Sequence, residues 1–186
     1  MDEYIEEYDY QGNPTGKRIL KSYAHKNGLF HSTIHLWLYT VKGDLLIQKR
    51  SKSKKINPDV WDIISVAGHI EYSESITDAA IREAYEEVGL KLKKSELKKI
   101  GIYFFKNKYK NLVDAEFHNA FICEIKKESL NMKFKNNEVD ELKFIHISEL
   151  KKIVENKSKG YLILDNSLHY YKDIFSEINS KINQDS

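Results

Sequence analysis

The chain has 186 residues, 41% hydrophobic and 31% charged, with a net charge of +2 at pH 7. That length fits one domain with peripheral additions and a substantial core. The charge balance gives no bulk electrostatic reason to bind nucleic acid or a membrane surface, no stretch is apolar over the length a bilayer requires, and the single cysteine, Cys123, excludes an internal disulfide.

The first ten residues, MDEYIEEYDY, are acidic and lack the basic start and apolar run of a signal peptide, so the expected location is cytoplasmic. Residues 4–10 alternate weakly before the turn-rich QGNPTG (11–16), which predicts a short strand or hairpin. TIHLWLYTV (33–41) and LLIQKR (45–50), divided by Lys42-Gly43-Asp44, predict a β-hairpin. SKSKKINPD (51–59) is a lysine-rich loop, and WDIISVAG (61–68) reads as a strand ending at glycine. Residues 75–88 have helical periodicity, with Gly89 as the stop. Strands are expected near 100–105, 116–125 and 142–147, and a short helix opens at Ser148-Glu149-Leu150. A last helix follows Asp165, where Leu168, Tyr171, Phe175, Ile178 and Ile182 recur at helical steps. The tail after Gln184 is expected to fray. This order of elements predicts a mixed α/β domain.

The stretch GHIEYSESITDAAIREAYEEVGL (68–90) carries the chemistry. On a helix, Glu83, Glu86 and Glu87 fall within an arc of about 100°, with Ile81, Ala84, Tyr85 and Val88 opposite. A solvated acidic face is the simple alternative. Like charges at this spacing cost a few tenths of a kcal/mol, which a hard divalent cation with oxygen ligands would remove. The spacing G-x5-E-x7-R-E-U-x-E-E-x-G-U, with U aliphatic, is met by Gly68, Glu74, Arg82, Glu83, Ala84, Glu86, Glu87, Gly89 and Leu90. Seven fixed residues at about 6% usage each would coincide by chance on the order of once in 10⁸ windows. The stretch resembles the signature of the Nudix hydrolases, with Ala84 smaller than the usual aliphatic residue.

The resemblance implies an α/β/α sandwich with a mixed central sheet, here with an extra N-terminal strand or hairpin and a C-terminal helix. One domain would span 1–186, with a core over roughly 30–155, an extension over 1–29 and the last helix over 165–183. It further implies magnesium or manganese held by Glu83, Glu86 and Glu87 with the Gly68 carbonyl. Glu74, Arg82 and Gly89 would be structural parts of the motif.

The flanks AHKNGLFHSTIHLWLY (24–39), LLIQKRSKSKKINPDVWDIISVAGH (45–69) and VDAEFHNAF (113–121) resemble type I isopentenyl-diphosphate isomerases, which share that fold. This second likeness implies another metal site, for a transition metal, at His25, His31, His69, Asp114 and Glu116. It also implies diphosphate contacts from Arg50 and Lys54. His35, His118, His146 and His169 read as structural or surface histidines, Trp37 and Trp61 as core, and Cys123 as buried and inert. Two departures separate the chain from the isomerases. Ala67 stands where they need a cysteine for proton transfer, and Glu83 stands where they typically carry a basic residue.

The expected function is therefore cleavage of a phosphoanhydride in a nucleoside di- or triphosphate, or in a nucleoside diphosphate linked to a small group. Water would attack phosphorus, with Glu86, Glu87 or Glu116 as base. Isopentenyl-diphosphate isomerase and a non-catalytic nucleotide-binding module are the alternatives. The partner is a small diphosphate, with no nucleic acid or membrane, and a homodimer through the N-terminal strand or C-terminal helix is compatible with the sequence.

Overall fold

The computed structural model describes residues 2–54, 56–109, 111–164 and 168–184. Tyr4–Tyr8 (β1) and Pro14–Leu20 (β2) pair as an antiparallel hairpin. Its turn closes because Asp9 Oδ1 accepts from the amides of Gln11 and Asn13, each at 2.9 Å. The second strand begins inside the turn-rich stretch. All of β2 except Ile19 is exposed, so no apolar alternation announces it. Lys21–Asn27 (α1) is a helix that periodicity also misses, since it makes only about two turns and buries one residue, Ala24. Gly28, at φ +64°, ends it.

The central strand, His31–Tyr39 (β3), is buried throughout. It runs parallel to Leu112–Glu124 (β8), which pairs antiparallel with Lys98–Tyr109 (β7). On its other side β3 meets Asp44–Arg50 (β4) only at Tyr39 and Leu45. Beyond that point the two strands diverge, and Val66–His69 (β6) takes the vacated edge of β3, antiparallel, from Leu36↔Val66 to Thr33↔His69. Strand β4 continues with Trp61–Asp62 (β5) and Val139–His146 (β9), both antiparallel. Tyr161–Leu162 (β10) adds parallel to β5.

The segment 61–68, expected as one strand, is thus two, because its halves serve different partners. Ser65 sits in the fork: its hydroxyl donates to Leu46 O at 2.6 Å and accepts from Leu38 N at 2.9 Å.

Helix Ile76–Val88 (α2) packs on one face of the sheet, against Ile34, Leu36, Leu46 and Phe121. Ile147–Glu155 (α3) and Leu168–Gln184 (α4) pack on the other, against Trp37, Tyr39, Ile47 and Ile122. The result is the expected α/β/α sandwich around a mixed sheet. Ser75 caps α2 by accepting from Asp78 N at 3.1 Å, and Gly89 ends it at φ +70°.

The face of α2 differs from expectation. Tyr85, expected toward the core, is 55% exposed, and Glu87, expected on the open carboxylate side, is 3% exposed. Ala79, Ala80 and Ala84 are fully buried. These small side chains let the helix lie close to the sheet, and a tyrosine ring would not fit there. Cys123 and Trp37 are buried as expected. The expected helix start at Asp165 and the tail after Gln184 lie outside the described residues. No helix among the described residues is long and apolar enough to cross a membrane.

Candidate functional site

The first part of the site lies where β6 turns into α2. Arg82 grips Glu74 with two hydrogen bonds, Nε to Oε1 and Nη2 to Oε2, both 2.9 Å. Its Nη2 also donates to His69 O, and its Nη1 to Glu83 Oε1 and Glu86 Oε2, each at 2.9 Å. Burial opposes the charge of Arg82, but Glu74 and Glu83 outweigh it and raise the pKa. One guanidinium therefore spans three carboxylates and a loop carbonyl, which relieves much of the repulsion evident in the sequence.

Gly68 is required by that packing. A Cβ there would lie 2.1 Å from the Glu83 carboxyl carbon, so only glycine lets this carboxyl rest on the loop backbone. Glu87 Oε2 accepts from Ala67 N at 3.0 Å and from Gln48 Nε2 at 2.9 Å. Burial pushes Glu83 up to about 7 and, with the nearby charge of Glu83, Glu87 up to about 8. Buried carboxyls with raised pKa values beside a backbone loop suit a hard divalent cation, whose charge would ionise them. Glu86 is the outer member, with its side chain 55% exposed.

The second part lies on the opposite face of the sheet. β3 places His31 directly beside Glu116 of β8, and β6 places His69 opposite Thr33. α1, the helix absent from the sequence reading, brings His25 to the same point. Ligand atoms of His25, His31, His69 and Glu116 lie within 4.8 Å of one another, the one such group of metal-type donors among the described residues. His25 Nε2 is 3.0 Å from His69 Nε2, and Glu116 Oε1 is 3.3 Å from His31 Nε2 and 3.6 Å from His69 Nε2. Donors bound to one ion at about 2.1 Å would stand about 3.0–3.5 Å apart, so the set fits a single metal.

His31 Nε2 is buried and faces the Glu116 carboxylate at 3.3 Å, while its Nδ1 is held by Leu29 O at 2.9 Å. That fixes a ring with one nitrogen oriented and the other available. Burial lowers His69 to about 4, whereas Glu116 is held well below the carboxylate range because His31 and His69 outweigh its burial. His69, neutral beside the ionised Glu116, has the protonation state a metal needs, whereas the burial of His31 is outweighed by Glu116, which raises its pKa. Asp114 departs from its expected place among the ligands. Its Oδ1 is 2.6 Å from His25 Nδ1, so it stands behind that ring and orients it.

The basic loop is more occupied than its charge implies. Arg50 donates through Nε to Asn57 O and through Nη2 to Ile56 O, both 3.1 Å, and through Nη1 to Asp62 Oδ2 at 3.3 Å. It braces its own loop. Lys54 pairs with Glu138 and lies within electrostatic reach of Glu87.

Three further residues belong to the site. Gln48 orients Glu87, and an amide at an inward position of a strand was its only signal. Tyr109 lies within electrostatic reach of Asp114 and Glu116 and interacts with Asn57 of the basic loop. His118, two residues beyond Glu116, takes Thr33 Oγ1 on its Nδ1 at 2.7 Å and is 3% exposed. Nothing in the sequence distinguished it from the other histidines.

Residues 29–165 match the NUDIX domain family. An uncharacterized Nudix hydrolase of Clostridium acetobutylicum is 34% identical over 162 residues, covering 86% of this chain and 77% of the relative. Isopentenyl-diphosphate Delta-isomerase 2 of Photorhabdus laumondii is 28% identical over 164 residues, 88% of each chain. A solved structure from Deinococcus radiodurans superimposes with a TM-score of 0.68 at 16% identity, covering 91% of this chain and 98% of that one, which shows the shared fold.

Proposed function

This chain belongs to the Nudix family, and on that premise we propose that it hydrolyses a phosphoanhydride in a nucleoside di- or triphosphate, or in a nucleoside diphosphate joined to a small group. The observation that carries this reading is the complete acidic set of α2. Glu83 rests on the Gly68 backbone, Glu87 is buried beneath the Ala67 amide, and Arg82 spans Glu74, Glu83 and Glu86.

Magnesium or manganese held by Glu83, Glu86, Glu87 and the Gly68 carbonyl would supply charge neutralisation at the diphosphate and activation of water. The chain's own groups do the rest. Arg82 fixes the carboxylates, Gln48 and the Ala67 amide set the angle of Glu87, and Lys54 offers a cation to the phosphates. The attacking water loses its proton to Glu86, Glu87 or Glu116. A phosphorus–oxygen bond forms as the bridging bond breaks, and the pair of electrons leaves on the departing phosphate. A transition metal at His25, His31, His69 and Glu116, backed by Asp114, would add a second cationic anchor.

The histidine cluster also favours a second reading, isomerisation of isopentenyl diphosphate. Ala67 weighs against it, since a methyl group moves no proton. Incubating the protein and magnesium with a panel of nucleotides and nucleotide conjugates, and following phosphate and nucleoside monophosphate release, tests the proposal. Metal-dependent release from at least one compound is expected. No release from any overturns it.

A further inference from the structure

The basic loop after β4 is bound along its length to the segment that leads into β9. Ser51 N donates to Glu138 O at 2.8 Å, Ser53 Oγ to Asn137 O at 2.9 Å, and Lys52 N to Asp140 Oδ2 at 3.1 Å. The same segment holds the end of α2. Asn136 Nδ2 donates to Glu86 O, and the Phe134 ring packs so closely on Gly89 that a Cβ there would lie 2.9 Å from it. Asn136 Oδ1 accepts from the amides of Glu138 and Val139, at 2.7 and 2.8 Å, and so fixes the turn that presents Glu138.

Glu138 thereby stands between the basic loop and the acidic helix. Its carboxylate pairs with Lys54 and lies within electrostatic reach of Glu83, while the Lys54 ammonium lies within reach of Glu87 and Asp62. The carboxylates of α2 differ in their need for that ammonium. Arg82 already serves Glu83. Glu87 is buried, and its hydrogen bonds among the described residues come from neutral groups, Gln48 and the Ala67 amide. A buried carboxylate attracts a cation more strongly than an exposed one does, because water screens the exposed pair. An ammonium that reached Glu87 would take the oxygens that a hard divalent cation needs. Lys54 is instead on Glu138, whose side chain is 51% exposed. The bonds of residues 51–53 to residues 137–140 hold the loop where its lysine meets this outer partner.

We propose that Glu138 is a positioning residue that holds the Lys54 ammonium at the mouth of the α2 site, which leaves the oxygens of Glu83 and Glu87 to the metal and the ammonium available to a phosphate. This rests on the reading of those carboxylates as the metal site. Without Glu138, Lys54 loses its outer partner and turns to Glu87, so that lysine and metal compete for one place. Competition has a signature that charge alone lacks. A lysine acting only through its charge weakens metal binding by the same factor whether or not Glu138 is present. A lysine restrained by Glu138 weakens it only once Glu138 is gone.

Manganese affinity tests this without any substrate. Free manganese is followed by electron paramagnetic resonance in titrations of protein holding one equivalent of zinc, which the imidazoles prefer. The α2 site is identified as the manganese site that Glu87→Gln removes. Native protein, Glu138→Gln, Lys54→Met and the double variant are compared. Glutamine at 138 keeps the shape of the side chain and both backbone bonds of that residue, and an unchanged melting temperature confirms the fold. Glu138→Gln is expected to weaken manganese binding at least about fivefold, and Lys54→Met added to it to restore the native affinity. Lys54→Met alone is expected to change it less than about twofold. Equal tightening by Lys54→Met in both backgrounds, or native affinity in Glu138→Gln, would overturn the proposal. So would a loss in Glu138→Gln that Lys54→Met does not restore, which would make Glu138 a ligand of the metal. The absence of any manganese site sensitive to Glu87→Gln would overturn the metal reading itself, and the proposal with it.

Discussion

Glu87 is the residue on which burial, charge and chemistry meet. Its two hydrogen bonds come from Gln48 and the Ala67 amide, so glutamine can replace it with little change in shape. Glu87→Gln is expected to fold normally and to lose at least about 100-fold in turnover at saturating magnesium, about 2.7 kcal/mol of barrier. Near-native turnover would remove the α2 carboxylates from the chemistry. A pH dependence follows for protein stripped of metal. Glu83 and Glu87 are raised to about 7 and about 8 from an ordinary 4.5, so the folded state holds these protons more tightly than the unfolded chain. Their contribution is full below pH 4.5 and is lost as pH rises through about 7 to 8. Melting temperature in EDTA should fall across that window, and Glu87→Gln should flatten the fall. Glu116 has the opposite shift and serves a different set of ligands. Elemental analysis of protein purified without chelator should find zinc or manganese in preference to magnesium. His31→Ala combined with His69→Ala should lose most of it, and unchanged metal content would dissolve the second site.

At the scale of elements, the site depends on one divergence. β3 and β4 share a single register pair before they separate, and β6 enters along the free edge of β3 carrying Ala67, Gly68 and His69. Ser65 holds that fork by accepting from Leu38 N and donating to Leu46 O. Ser65→Ala leaves a buried amide unpaired and is expected to cost about 1–3 kcal/mol, read as a shift in the urea midpoint. An unchanged midpoint would mean that the fork is held by packing alone. The two strands within 33–50 and the helix 76–88 were legible because apolar periodicity and glycine stops mark them, while the expected pairing of those strands as a hairpin reduces to Tyr39↔Leu45. α1 was not, since two turns with one buried residue carry no pattern, although its His25 was recognised through the resemblance of the flank 24–39 to the isomerases, one residue closer to His31 than in their pattern. The split of 61–68 was equally hidden. Both halves are apolar, and only pairing to different strands separates them.

Across the whole molecule, the two metal-type sites lie on opposite faces of the sheet near the β6 loop, which reaches both. Gly68 packs on Glu83 beneath α2, while His69 joins the imidazole cluster on the other side. Isomerisation would need two proton-transfer groups bracketing a carbon chain, and Ala67 supplies none at the place where the isomerases carry a cysteine. Deuterium uptake from heavy water into isopentenyl diphosphate should therefore be absent. Metal-dependent uptake on the order of 1 s⁻¹ or faster would show that another group replaces the cysteine.

The sequence by itself determined the identity of the acidic helix, because that depends on spacing along a single element, and the resemblance of residues 68–90 to the Nudix signature carried the family and the sandwich. It also supplied the histidines and Glu116 as a candidate set through resemblance. Tertiary structure alone decided which groups converge and which stand behind. Asp114 stands behind His25 and outside the cluster of His25, His31, His69 and Glu116, Arg50 bonds to its own loop and to Asp62, and Glu87 turns inward beneath Ala67. It also paired Glu138 with Lys54, which no spacing brings together. Convergence depends on which strands pair and in what register, and hydrogen-bond satisfaction depends on atoms far apart in the chain. Neither is carried by local pattern.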